Sequence, residues 1–138
     1  SQISIRMLTR GEVVADLPLL RARLERAIAF RDTLGLDANA YRLVHAEADL
    51  LPSLVVDRYG DHLVVQALSQ GMDRLLPQLT AMLVEMAAPA GILARNDPKV
   101  RALEGLDQTI EVLYGSVPES VIVRDGPVES AVYLRNGQ

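Results

Sequence analysis

Tyr41-Arg42-Leu43-Val44-His45-Ala46-Glu47-Ala48-Asp49-Leu50-Leu51-Pro52-Ser53-Leu54-Val55-Val56-Asp57-Arg58-Tyr59 is the stretch on which the fold turns. Its first residues alternate, with Tyr41, Leu43 and His45 on one side and Arg42 and Val44 on the other, the period-two signature of a strand. Leu50-Leu51-Pro52 then forces a turn. Leu54–Val56 and Leu63–Leu68 are two further apolar runs joined through Tyr59-Gly60-Asp61, which predicts a hairpin. Three strands in so short a span make a sheet the organising element.

Working outward, helices flank this sheet. Upstream, Asp16 can cap a helix whose first turn tolerates Pro18, and Leu17, Leu20, Leu24, Ala27, Ile28 and Leu34 recur at helical spacing before Gly35 ends it. Arg26 lies opposite the apolar face, Arg21 and Arg23 on its flanks, and Arg31 on the apolar side, where its charge requires a partner. Downstream, Met72, Leu75, Leu76, Leu79, Met82, Leu83 and Met86 predict one amphipathic helix, with Pro77 acceptable only near its start. Methionines at this spacing are core residues rather than a ligand stripe. A short strand at Ile92–Ala94 and a brief helix opened by Asp97-Pro98 follow. Glycines at 105, 115, 126 and 137 then separate the β-rich runs Thr109–Tyr114, Ser120–Arg124 and Val128–Leu134, a meander in prospect. Ile3, Ile5 and Met7 alternate as a short strand before all of this. The expectation is α/β (α+β): a mixed or antiparallel sheet backed by two main helices, with a C-terminal β meander. Residues 1–36 read as an N-terminal strand and linking helix, and 37–138 as one compact central domain.

Composition excludes several functions. The 138 residues are 49% apolar, enough for one cored domain. Thirteen arginines and the single Lys99 face eighteen acidic residues, and the net charge of -4 gives no global attraction for a polyanion, so any nucleic-acid contact is local. Without cysteine there is no disulfide, thiolate metal site or cysteine nucleophile. No apolar run reaches the roughly 20 residues of a membrane span, and the N-terminus lacks signal-peptide order, so the expectation is a cytoplasmic protein with no membrane partner. Phosphate and dinucleotide loops need two or three glycines within about six residues, so that backbone N–H groups reach the ligand. No two glycines here lie closer than ten residues apart. No serine elbow is present either.

One local constellation could carry chemistry. If the first strand continues, His45, Glu47 and Asp49 fall on one face, and His62 from a neighbouring strand could complete an iron-type site of histidines and a carboxylate. The competing reading is a solvated strand end that leads into the proline turn.

The same stretch, from Arg42 to Tyr59, resembles the R-L-x-x-G-E-x-D-x-L-P-G-L-x-V-D-x-Y segment of bacterial class I large-subunit ribosomal RNA cytosine-C5 methyltransferases. Those enzymes have an N-terminal PUA domain, a central domain and a C-terminal Rossmann-like catalytic domain. Arg23-Leu24, Ala27 and Arg31 resemble the family's preceding helix. Arg95-Asn96-Asp97, Arg101 and Glu104-Gly105-Leu106 resemble its R-x-D…R…E-G-L stretch, and Gly137-Gln138 the start of G-Q-K-T-G. The resemblance covers essentially the whole chain and implies the central domain, cut at both ends, with no catalytic residue, no cofactor site and no metal of its own. S-adenosylmethionine would be bound by the parent protein, and the partners would be ribosomal RNA and the chain's own PUA and catalytic domains.

There are departures. Ala46 and Ser53 stand where the family has glycine, and Pro127 with Glu129 interrupts its E-N-G-x-x-F-x-V pattern. If those glycines have φ > 0, an L-residue costs about 1 kcal/mol there. The resemblance makes Arg31, Arg42, Glu47, Asp49, Asp57, Arg58, Tyr59, Arg95, Arg101 and Glu104 candidates for RNA or interdomain contact. Arg42 with Glu47 or Asp49 can equally be an ion pair that pins a turn, and Asp57 can accept backbone N–H bonds. Three functions compete: a non-catalytic RNA-orienting scaffold of a methyltransferase, a structural spacer between domains, and a metal enzyme using His45, Glu47 and His62.

Overall fold

The computed structural model describes residues 17–96 and 109–135. The strand expected at residues 3–7, the Asp16 cap, the helix after Asp97-Pro98 and Gly137-Gln138 lie outside them. In order, the elements are α1 (Leu17–Thr33), β1 (Ala40–His45), a 3-10 turn (Ala46–Asp49), β2 (Leu54–Tyr59), β3 (His62–Ala67), α2 (Gln70–Arg74), α3 (Leu76–Ala87), β4 (Gly91–Asn96), β5 (Thr109–Gly115), β6 (Ser120–Asp125) and β7 (Val128–Tyr133).

Five strands form one mixed sheet in the order β1-β2-β3-β4-β5, and β6 pairs only with β7. All neighbours are antiparallel except β3 and β4, which run parallel because α2 and α3 carry the chain back across the sheet between them. The α+β class and the mixed sheet are as expected. The three C-terminal strands also form where the glycine spacing put them, but they divide: β5 completes the large sheet and β6–β7 make a separate ribbon.

The sheet is covered on both faces. On one side Leu20, Leu24 and Ala27 of α1 and Leu76, Leu79, Met82 and Leu83 of α3 pack with Val44, Val56, Leu63, Val65 and Ile92 in a single core. On the other side Val64 and Leu93 pack with Val117 and Leu134, flanked by Tyr59, Val121 and Val132. This double cover explains why Leu63, Val64 and Val65 are consecutively buried, where one solvated face would have left alternation. Each fully buried leucine, such as Leu20 or Leu24, contributes about 1.5–3 kcal/mol.

Three local expectations are corrected. Leu34 does not join the α1 face and stays 49% exposed. The helix stops at Thr33, closes with Leu34 N–H donating to the Arg31 carbonyl at 3.2 Å, and Gly35 at φ +61° turns the chain outward. The strict alternation of β1 also fails. A register shift between Arg42 and Val44 against β2 makes Leu43 a bulge residue, so Leu43 and Val44 are both buried and His45 is exposed. Finally, the helix expected across Met72–Met86 is two helices. Pro77 has no N–H to donate into a preceding turn, so the helix that Ser69 caps ends at Arg74, and a new one starts at Leu76 with Pro77 in its first turn.

Candidate functional site

Three charged residues of the stretch from Arg42 to Tyr59, namely Arg42, Asp49 and Asp57, take part in two ion pairs, and Arg42 does not take the partner expected for it. Arg31, from the end of α1, meets Asp49 in the 3-10 turn through two parallel bonds of 3.0 Å, with both side chains about nine-tenths buried. The Arg31 Nε also donates to the Arg42 carbonyl at 3.2 Å, and Asp49 accepts the His45 N–H at 2.6 Å. One cation thus finds the partner its position demanded. Arg42 pairs with Asp57 of the neighbouring strand, at 2.7 and 3.2 Å, and not with Glu47 or Asp49. Cross-strand register sets this choice, because Arg42 lies directly opposite Asp57. The hydrogen bond to Asp57 raises the guanidinium above its ordinary value, so Arg42 stays charged.

The iron-type constellation does not assemble. β1 ends at His45 and the chain enters the 3-10 turn, so His45, Glu47 and Asp49 do not share a strand face. His62 lies on β3, with β2 between it and β1. Among the described residues, no group of three or more histidine or acidic side chains is disposed to hold a metal ion. Glu47 is exposed. Arg95 reaches from β4 to the Leu134 carbonyl at 3.4 Å and ties the large sheet to the end of β7. Arg101 and Glu104 lie outside the described residues.

Arg58 and Tyr59 occupy different ground. They end β2 at a cleft of about 550 Å³ between the Gly60-Asp61 turn and β6, with Tyr41 and His62 also in its wall. The Arg58 Nε donates to the Gly60 carbonyl at 2.8 Å, which fixes the root of the guanidinium at the cleft. Burial pushes the Tyr59 hydroxyl above its ordinary value, with the Asp57 charge adding to the effect. His62 Nδ1 is buried without a hydrogen-bond partner among the described residues.

Asn39 builds the cleft, and sequence reasoning passed over it. Its side-chain oxygen accepts the Arg124 N–H at 2.6 Å, its own N–H donates to the Arg124 carbonyl at 3.0 Å, and its carbonyl accepts the Gly60 N–H at 2.6 Å. Asp37 adds an ion pair to Arg124 at 2.7 Å. One residue thereby holds the β2–β3 turn and the ribbon together. The local signal was Asp37-Ala38-Asn39 between a helix stop and a strand, a setting that favours side-chain bonds to backbone. Its partner, 85 residues away, left no signal in the sequence.

No family model matches the chain. Curated proteins do: ribosomal RNA large subunit methyltransferase I of Tolumonas auensis is 37% identical over 142 residues, covering 99% of this chain and 36% of the relative. Its homologues are ribosomal RNA large-subunit methyltransferases. The protein of the same name from Aeromonas hydrophila is 40% identical over 144 residues, with the same coverage. The chain therefore spans about a third of the length of these methyltransferases. Among solved structures, a Streptococcus mutans protein described as a SAM-dependent methyltransferase superposes with a TM-score of 0.72 at 17% identity, over 87% of this chain and 31% of its own. A methyltransferase complexed with SAH gives 0.66 at 16% identity, over 86% and 31%. These two share the fold.

The two positions where the methyltransferase resemblance calls for glycine are strained here. Ala46 has φ +44° and Ser53 φ +70°, both in the left-handed region that glycine adopts freely. The turn between β1 and β2 thus keeps a glycine-type backbone without the glycines.

Proposed function

We propose that this chain is a non-catalytic module that orients RNA within a SAM-dependent ribosomal RNA methyltransferase, and that methyl donor and catalytic groups belong to the rest of that enzyme. In this reading residues 1–36 link from a preceding PUA domain, 37–138 form the central domain, and the assembly works in the cytoplasm. The observation that carries it is the near-complete match of the chain to about a third of ribosomal RNA methyltransferases. The side chains support the same role. The carboxylates Asp49 and Asp57 are engaged by Arg31 and Arg42, so neither is free to act as an acid or base, while Arg58 stays at an open cleft. Such a module contributes by geometry: holding the target base in position removes orientational freedom before methyl transfer begins.

Two measurements test this. The isolated chain should give no heat of S-adenosylmethionine binding in calorimetry, and tight binding there overturns the claim that the donor site lies elsewhere. In the full-length enzyme, Arg58→Ala should weaken ribosomal RNA binding and lower its salt slope by about one.

A structural spacer is the second reading, favoured by the internal pairing of Arg31 and Arg42. Unchanged RNA affinity in both Arg42→Ala and Arg58→Ala would select it.

A further inference from the structure

The cleft at the end of β2 brings together Arg58 and His62, which neither the core nor the ion pairs explain. Its volume of about 550 Å³ lies within the range of about 300–1,000 Å³ typical of small-molecule sites. Tyr59, on the ribbon side of the sheet, gives it aromatic surface, and Ile122, 62% exposed on β6, adds apolar surface. Arg58, anchored through Nε, makes no other hydrogen bond among the described residues, so both terminal nitrogens can meet an acceptor. The buried Nδ1 of His62 lacks a hydrogen-bond partner among the described residues, and an unsatisfied buried polar atom is costly unless a ligand or water bonds to it.

These groups fit a flat, polar-edged ring carrying an anion. A planar guanidinium with aromatic surface is the chemistry that holds unpaired bases and their phosphates. Asp61 on the same rim disfavours a bare phosphate ion and favours a ligand that also offers amino or hydroxyl donors. The geometry points to this cleft as a binding site for one unpaired RNA nucleotide, with its base against Tyr59 beside Ile122 and its phosphate at Arg58. The inference rests on the RNA-orienting reading above and gives that reading a location. Asn39 defines the site's shape, since it fixes β6 beside the β2–β3 turn and so sets the width of the cleft.

The test uses the full-length protein and a short single-stranded oligoribonucleotide of mixed sequence, with hydrogen exchange followed by mass spectrometry and affinity followed by fluorescence anisotropy. Protection should appear at residues 58–62 and 121–122. Ile122→Asp, which alters only an exposed side chain, and Arg58→Gln should each reduce affinity about fivefold or more, as expected for a lost stacking wall or a lost phosphate contact. Protection elsewhere in this chain, with both variants binding normally, overturns the cleft and leaves the RNA-orienting role standing. No protection anywhere in the chain removes both.

Discussion

Arg31 and Asp49 face each other through two 3.0 Å bonds with both side chains almost fully enclosed, and this contact joins α1 to the turn between β1 and β2. Removing one partner leaves a charge without solvent or counter-ion, which costs far more than a surface pair is worth. Asp49→Ala is expected to destabilise the protein by about 3–5 kcal/mol in urea unfolding. Replacing both by apolar residues of similar volume should recover most of that loss. If Asp49→Ala stays near wild type, Arg31 is not the anchor of α1.

The Arg42–Asp57 pair should behave differently. Arg42 is 45% exposed while Asp57 is only 14% exposed, so solvent screens the attraction in part, and Arg42→Ala is expected to cost about 1–3 kcal/mol, less than Asp49→Ala. Chemical denaturation of this variant beside Asp49→Ala measures the contrast. Equal losses would mean that the cross-strand pair carries more of the sheet than its exposure indicates.

The left-handed backbone at Ala46 and Ser53 makes a stabilising prediction. Glycine removes the Cβ crowding at φ +44° and +70° and loses more entropy on folding, and in this region the first effect dominates. Ala46→Gly and Ser53→Gly should each raise stability by up to about 1 kcal/mol, read as a higher denaturation midpoint. A lower midpoint in both would show that the side chains have another use.

Tyr59 sets an alkaline limit. Burial raises its folded-state value above the ordinary 10.0, so the unfolded chain loses the proton first as pH rises. The stability this provides is complete below pH 10.0, and it is lost as pH climbs through the folded value. Tyr59→Phe should therefore unfold less steeply with pH above 10.0 than wild type, while their pH dependence matches at neutrality. Parallel curves throughout the alkaline range would refute the link.

Residues near in sequence settled much of this protein. Alternation and turn chemistry located β2, β3 and the Gly60-Asp61 reversal, and helical spacing located α1 and the residues of α3, because each pattern reports which side of a local element avoids water. The cationic demand at Arg31 was legible too, since a charge on an apolar face requires a partner wherever it lies. Where one more contact decides a local outcome, the pattern misled: the bulge at Leu43 depends on pairing with β2, and the break before Leu76 on a proline set between two equally apolar turns.

Sequence by itself determined the α+β class, most of the apolar faces of α1 and α3, and the similarity to ribosomal RNA methyltransferases. Only the tertiary structure decided what the run from Tyr41 to Tyr59 does with its charges. Strand register assigned Asp57 to Arg42, helix docking assigned Asp49 to Arg31, and Asn39, holding the backbone of Arg124, set a ribbon against the sheet to make the cleft at Arg58 and Tyr59. Partners separated by as many as 87 residues, as Asp37 and Arg124 are, are chosen by how whole elements pack, and packing depends on the entire chain at once.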